Sequence, residues 1–199
     1  MMFEGKKVLV TGIARSGLAA ARVLVKRGAK VTICDRKNME QLAEELLNDL
    51  NNLGIEIYAG EYPAVSKQKF DLVIASPGIP ADVEPFVQAR VAGIPVIGEL
   101  ELAYAIKGPE VEIIAVTGTN GKTTTVSLLH CIMEAAGINS SVGGNIGVPL
   151  SAVVDQMNAG VIAVEVSSFQ LESIRDFRPH ICGILNITPD HLDRHKTLE

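Results

Sequence analysis

Residues 117–124 (TGTNGKTT) bring together the residue types that phosphate chemistry needs. Glycines let backbone N–H groups turn inward around oxygens. A lysine adds a point charge for the β- and γ-phosphates, and the threonine after it can reach a magnesium ion. An apolar run over 111–117 leads into the loop and a helical pattern over 122–136 leaves it, so a helix N-terminus and its dipole face the same point. The spacing is one step from the usual phosphate loop. Val116 stands where the first glycine would fall, and the loop glycine is Gly118. An ordinary strand–turn–helix junction with incidental Gly, Lys and Thr is the alternative.

Glu165 is the second candidate. It lies in the apolar run 161–166 (VIAVEV). A lone carboxylate near the end of a buried strand is costly unless it is paired or binds a cation. Beside a phosphate loop, a strand-end acid is the expected magnesium partner. A salt bridge to Lys122 or Arg175 is the alternative. Residues 143–147 (GGNIG) read as a glycine-rich turn, in which Asn145 offers its amide to a phosphate or oxyanion or serves the turn alone. Residues 190–195 (DHLDRH) follow the breaker Thr188-Pro189. His191 and His195 stand four apart, as a zinc pair on a helix would. No HExxH is present and the cysteines are scattered, so a solvated helix start capped by Asp190 is the simpler reading.

A second glycine loop, residues 12–17 (GIARSG), follows the first strand-like run. Ala14 occupies the place of the middle glycine of a dinucleotide fingerprint, and Asp35 closes the next strand where a ribose-binding acid would lie. NAD is one reading. The Ala14 side chain hinders close approach to a pyrophosphate, however, and a nucleotide diphosphate bound edge-on fits equally well or better. A tight turn with a solvated Asp is the third. Residues 76–80 (SPGIP) close another strand, and ligands gather at such edges in doubly wound sheets.

These loops need elements to hold them. Strand-like runs at 7–11, 30–34, 55–58, 71–75, 94–97, 111–117, 161–166 and 181–187 alternate with helical patterns at 17–27, 39–53, 83–92, 99–106 and 122–136. Such alternation implies parallel βαβ units. The expected fold is α/β: an N-terminal Rossmann-like parallel-sheet domain over 1–98, then a truncated phosphate-loop α/β domain over 99–199. Hydrophobic residues at 47% and charged residues at 21% predict a packed core. With 4% aromatics and no Trp, that core must be built from Val, Ile, Leu and Ala, as buried parallel sheets are. A net charge of -5 without a long basic run argues against nucleic acid or an anionic membrane as partner. No apolar run is long enough to span a bilayer or act as a signal region, and three scattered cysteines suit a reducing compartment, so a cytoplasmic location is expected.

Together, TGTNGKTT, residues 165–172 (EVSSFQLE) and residues 186–195 (NITPDHLDRH) resemble the Mur ligases, with the similarity running from Gly12 to His195. Folylpolyglutamate synthetases share the phosphate loop, but a UDP-type domain of about a hundred residues in front of it would not be expected there. The SSFQ run is similar to the D-glutamate-adding members. The resemblance implies an ATP-dependent ligase that joins D-glutamate to UDP-N-acetylmuramoyl-L-alanine through an acyl phosphate, in peptidoglycan precursor synthesis. It implies UDP held by Arg15, Ser16, Asp35, Arg36, Ser76, Pro77 and Gly78. It implies ATP on Gly118, Thr119, Asn120, Gly121, Lys122, Thr123 and Thr124. One Mg2+ would sit at Thr123 and Glu165 and a second at His191, with Asn145 and Ser167 facing the substrate. Lys122, Glu165 and His191 are then the expected catalytic set. The resemblance further implies a carbamylated lysine and a C-terminal domain beyond Glu199, so the 199-residue chain is expected not to turn over, and the full-length enzyme to be monomeric. A non-catalytic nucleotide-binding module, with Glu165 as a salt-bridge partner, is the alternative from another class.

Overall fold

A computed structural model describes residues 2–190. Among them, nine strands form two parallel sheets. The first contains β1 (Lys7–Thr11), β2 (Lys30–Asp35), β3 (Glu56–Ala59), β4 (Leu72–Ala75) and β5 (Val96–Gly98), in the order β3-β2-β1-β4-β5. Val8 pairs with Val31 on one side and with Leu72 on the other, and all three are buried. Burial on both faces is why these strands read as continuous apolar runs. Helices α1 (Arg15–Lys26), α2 (Glu44–Asn52) and α3 (Glu84–Val91) connect the strands. The small buried face of α1, Ala20 and Ala21 with Leu24, lets that helix close against the sheet. Strand order reverses between β1 and β4, and crevices for ligands form at such switch points.

The second sheet contains β6 (Glu110–Thr117), β7 (Ser140–Gly144), β8 (Ala159–Glu165) and β9 (Ile181–Ile184), in the order β7-β8-β6-β9. Helix α4 (Glu99–Ile106) joins the two sheets, and the second carries α5 (Lys122–Ala135), α6 (Leu150–Gln156) and α7 (Ser168–Leu171). Two carboxylates of α4 are buried against the second sheet's elements. Glu99 Oε1 accepts from the Ser151 N–H at 2.6 Å. Burial pushes the Glu99 carboxyl above the usual carboxylate range, and its contacts with Ser151 oppose that rise. Glu101 accepts from three consecutive N–H groups, those of Arg175, Asp176 and Phe177. A third tie runs from α1 to α6, where Asp155 pairs with Lys26 at 2.8 Å and Arg27 at 2.5 Å. Burial works against ionisation of Asp155, but the two cations outweigh it and hold the carboxyl below its ordinary value.

Two sequence expectations change here. The single helix over 39–53 is two pieces, a 3-10 turn at Met39–Gln41 and then α2. Asn38 and Gln41 close the short turn as a capping box, and Leu42 and Ala43 are extended. Gly143 and Gly144 belong to strand β7 rather than to a turn. A Cβ on Gly144, at φ +104°, would fall 2.3 Å from the Glu165 carbonyl oxygen, so glycine permits close pairing at the functional end of β8. Helices α6 and α7 span only seven and four residues, too few for a helical period to be legible. No helix among the described residues is long and apolar enough to cross a membrane.

Candidate nucleotide sites

The C-terminal edge of the first sheet opens into a cavity of about 440 Å³. All seven residues expected to hold UDP line it: Arg15, Ser16, Asp35, Arg36, Ser76, Pro77 and Gly78. The Gly12 loop is tight. A Cβ on Gly12, at φ +92°, would lie 2.9 Å from Ser76 Oγ, and one on Gly17 would lie 1.9 Å from the Gly12 carbonyl oxygen. Asp35 shapes this loop directly. Its Oδ2 accepts from the Ile13 N–H at 2.7 Å and its Oδ1 from the Lys37 N–H at 2.9 Å. Ser76 is buried and donates from Oγ to the Thr11 carbonyl, so it laces β4 to β1 beneath the cavity. Cys34 lies under the same edge. Its thiol is pushed up to about 12 by burial and then by Asp35, which keeps it protonated and unreactive. Tyr62 and Val83 also line the cavity, and no sequence motif marks either of them.

The phosphate loop joins β6 to α5. Gly118 has φ +140° and Gly121, the N-cap of α5, has φ +86°. A Cβ on Gly118 would come within 3.0 Å of the Asn186 carbonyl oxygen. Asn186 braces the loop. Its carbonyl accepts from the Thr119 N–H at 3.0 Å, its Oδ1 accepts from the Asn120 N–H at 2.9 Å, and its Nδ2 donates to the Asn120 carbonyl at 3.0 Å. The Thr119 hydroxyl exchanges hydrogen bonds with the Thr188 backbone. Thus the segment after β9 consumes the Thr119 and Asn120 N–H groups. The first-turn N–H groups of α5, which have no intrahelical acceptor, remain for an anion. Lys122 folds back over the loop, donating from Nζ to the carbonyls of Gly118 at 2.6 Å and Thr119 at 2.9 Å.

Glu165 is only 3% exposed at the end of β8. Its Oε2 accepts from Thr123 Oγ1 at 2.6 Å and its Oε1 from Asn145 Nδ2 at 2.7 Å. Among the described residues it pairs with neither Lys122 nor Arg175. The Thr123 hydroxyl and the Glu165 carboxylate form an all-oxygen pair, which suits a small hard cation such as Mg2+ whose other positions come from phosphate and water. Ser167 caps α7, where its N–H and hydroxyl both donate to Gln170 Oε1. His191, the expected ligand of a second Mg2+, and His195 lie outside the described residues.

A side-chain contact links the two sites. Arg15 Nη1 reaches from the first cavity to the Gly147 carbonyl at 3.3 Å, two residues from Asn145. A short path of polar contacts therefore leads from Arg15 through the 145–147 turn to Glu165 and Thr123.

Residues 6–98 match the family description "Mur ligase MurD-like, N-terminal domain", and residues 116–199 match "Mur ligase middle domain". The chain belongs to the Mur ligase family. Mur ligases are ATP-dependent enzymes that form amide bonds. A UDP-N-acetylmuramoylalanine--D-glutamate ligase of Pelotomaculum thermopropionicum is 54% identical over 198 residues, covering 98% of this chain and 43% of that protein. Its counterpart in Acidobacterium capsulatum is 48% identical over 201 residues, covering 100% and 43%. Among solved structures, the UDP-N-acetylmuramate-alanine ligase of Thermotoga maritima superposes with a TM-score of 0.55 at 25% identity, covering 96% of this chain and 44% of that one. The UDP-N-acetylmuramate:L-alanyl-gamma-D-glutamyl-meso-diaminopimelate ligase of Neisseria meningitides gives a TM-score of 0.58 at 21% identity, covering 96% and 63%, a likeness of fold alone. This Mur ligase chain thus spans under half the length of its relatives from Pelotomaculum and Acidobacterium.

Proposed function

We propose that this chain is the substrate- and ATP-binding portion of a cytoplasmic ligase that adds D-glutamate to UDP-N-acetylmuramoyl-L-alanine. Residues 1–98 hold the UDP-linked substrate, and residues 99–199 hold ATP with Mg2+. The observation that carries this reading is the contact path from Arg15 to Glu165 and Thr123, which joins the first cavity to the phosphate loop. A substrate anchored by UDP at one end can present its carboxylate at the other.

The chemistry follows. A carboxylate is a poor electrophile. It attacks the γ-phosphate of ATP, ADP leaves, and the acyl phosphate so formed is open to an amine. The amine of D-glutamate then displaces phosphate and the amide forms. Lys122 offsets the charge that gathers on the transferring phosphoryl group, and the first-turn N–H groups of α5 hold its oxygens. Thr123 and Glu165 would hold Mg2+, which would supply positive charge to offset that of the ATP phosphates. Asn145 keeps the Glu165 carboxylate oriented toward Thr123, and Ser167 lies two residues beyond Glu165, at the substrate side. His191 is the proposed ligand of a second Mg2+.

Calorimetric titration of UDP-N-acetylmuramoyl-L-alanine, with UDP and NAD as comparators, tests the first half of this reading. Binding of the UDP-sugar, weaker binding of UDP and silence toward NAD are expected. Clear NAD binding with silence toward both UDP compounds would mean that the Gly12 loop serves a dinucleotide instead.

A further inference from the structure

We infer that Tyr62 is a base-recognition residue of the first cavity, stacking on the nucleobase and orienting Arg36 beside it. The inference rests on the proposal that this cavity binds a UDP-linked substrate, and it concerns a residue no sequence motif marks.

The strand order supplies the first argument. Along the C-terminal edge, the loops after β3, β2, β1 and β4 carry Tyr62, Arg36, the Gly12 loop with Arg15 and Ser16, and the Ser76–Gly78 turn. Neighbouring strands lie about 4.8 Å apart, so the loop bearing Tyr62 starts about 10 Å from the Gly12 loop. Phosphates belong at the N-terminus of α1, where Arg15 and the first-turn N–H groups converge. A nucleotide lying along the edge from there sets its ribose over β2 and its base beside the loop after β3.

The lining chemistry supplies the second. Tyr62 is the aromatic side chain among the cavity's lining residues. It is half-buried in the apolar cluster of Val65, Phe70 and Val83, which restricts its ring. The Arg36 guanidinium carbon lies 5.8 Å from the ring centroid, within cation–π range. Planar guanidinium and aromatic faces are what a nucleobase stacks on. Asp35, the residue a dinucleotide reading would choose for ligand contact, already receives one backbone N–H on each oxygen.

The test uses Tyr62→Ala and Tyr62→Phe with UDP and inorganic pyrophosphate as probes. Tyr62→Ala is expected to weaken UDP binding about 5- to 100-fold, the range that loss of one stacking contact produces. Its pyrophosphate and MgATP affinities should not change, which also reports that the variant is folded. Tyr62→Phe should keep its UDP affinity. The chain has three tyrosines and no tryptophan, so tyrosine emission is readable. The emission change on UDP binding should vanish in Tyr62→Phe, and this second readout stands even if Tyr62→Ala does not fold. Undiminished UDP affinity in folded Tyr62→Ala, or an unaltered emission change in Tyr62→Phe, overturns the inference and leaves the UDP reading intact. Failure of the unmodified chain to bind UDP overturns both.

Discussion

Glu165→Gln should lower the affinity for ATP measured in Mg2+ by at least about tenfold, down to the value found without the metal. The carboxylate is buried, carries one hydrogen bond on each oxygen, and meets the Thr123 hydroxyl at 2.6 Å. Gln keeps the volume and can still bond to Thr123 or Asn145, so the fold should survive. What it loses is the negative charge that a divalent cation needs. Metal-free ATP should bind the variant as it binds the parent, because Lys122 and the first turn of α5 are untouched. Isothermal titration with and without Mg2+ separates the outcomes. An unchanged Mg2+ effect in the variant would make Glu165 a hydrogen-bonding strut for Thr123 and Asn145, and the metal site would have to be sought elsewhere.

Glu101→Ala should produce the largest loss of stability, on the order of 3 kcal/mol. One carboxylate accepts three consecutive N–H groups, at 2.7 to 3.1 Å, and so holds the whole 175–177 turn against α4. Charge-assisted bonds of this kind are stronger than neutral ones, and a buried N–H left unpaired costs its full desolvation. Arg175 and Asp176 are open to water, which keeps the figure below three full bonds. In a chain of this size, a loss of about 3 kcal/mol lowers the thermal midpoint by about 6–12 °C. Glu101→Gln, which retains one acceptor oxygen, should fall between. A midpoint within a degree or two of the parent for Glu101→Ala would show that the 175–177 segment holds its shape without α4.

Much of the site is legible in sequence because each residue type answers a chemical need. Phosphate requires glycine, lysine and threonine at a strand-to-helix junction, and residues 118–124 supply them in that order. The seven residues expected around UDP all line one cavity because they follow or close parallel strands at the same edge. Tyr62 is invisible to such reading for the converse reason. It matters only because β3 lies two strands from β1, and strand order is not written in local sequence. Local spacing aims the Asn145 amide at a ligand or at its own turn, yet it donates to Glu165, a pairing set by the register of β7 against β8. Glu99 and Glu101 open a helix rich in apolar residues, and nothing local marks them as buried anchors for N–H groups 52 to 76 positions away. Asn186 carries a visible signal, a polar residue directly after the apolar run 181–185, but that run is largely exposed and the role of Asn186 as a brace needs β9 beside β6.

Two different nucleotides should occupy two joined sites at once. Native mass spectrometry of the chain with Mg2+, ATP and UDP-N-acetylmuramoyl-L-alanine tests this most directly. The expected result is a ternary complex with one ATP and one UDP-sugar per chain, each binding undiminished by saturation with the other. Displacement of either ligand by the other would mean a single shared site and would contradict the assignment of UDP to the first cavity and ATP to the phosphate loop.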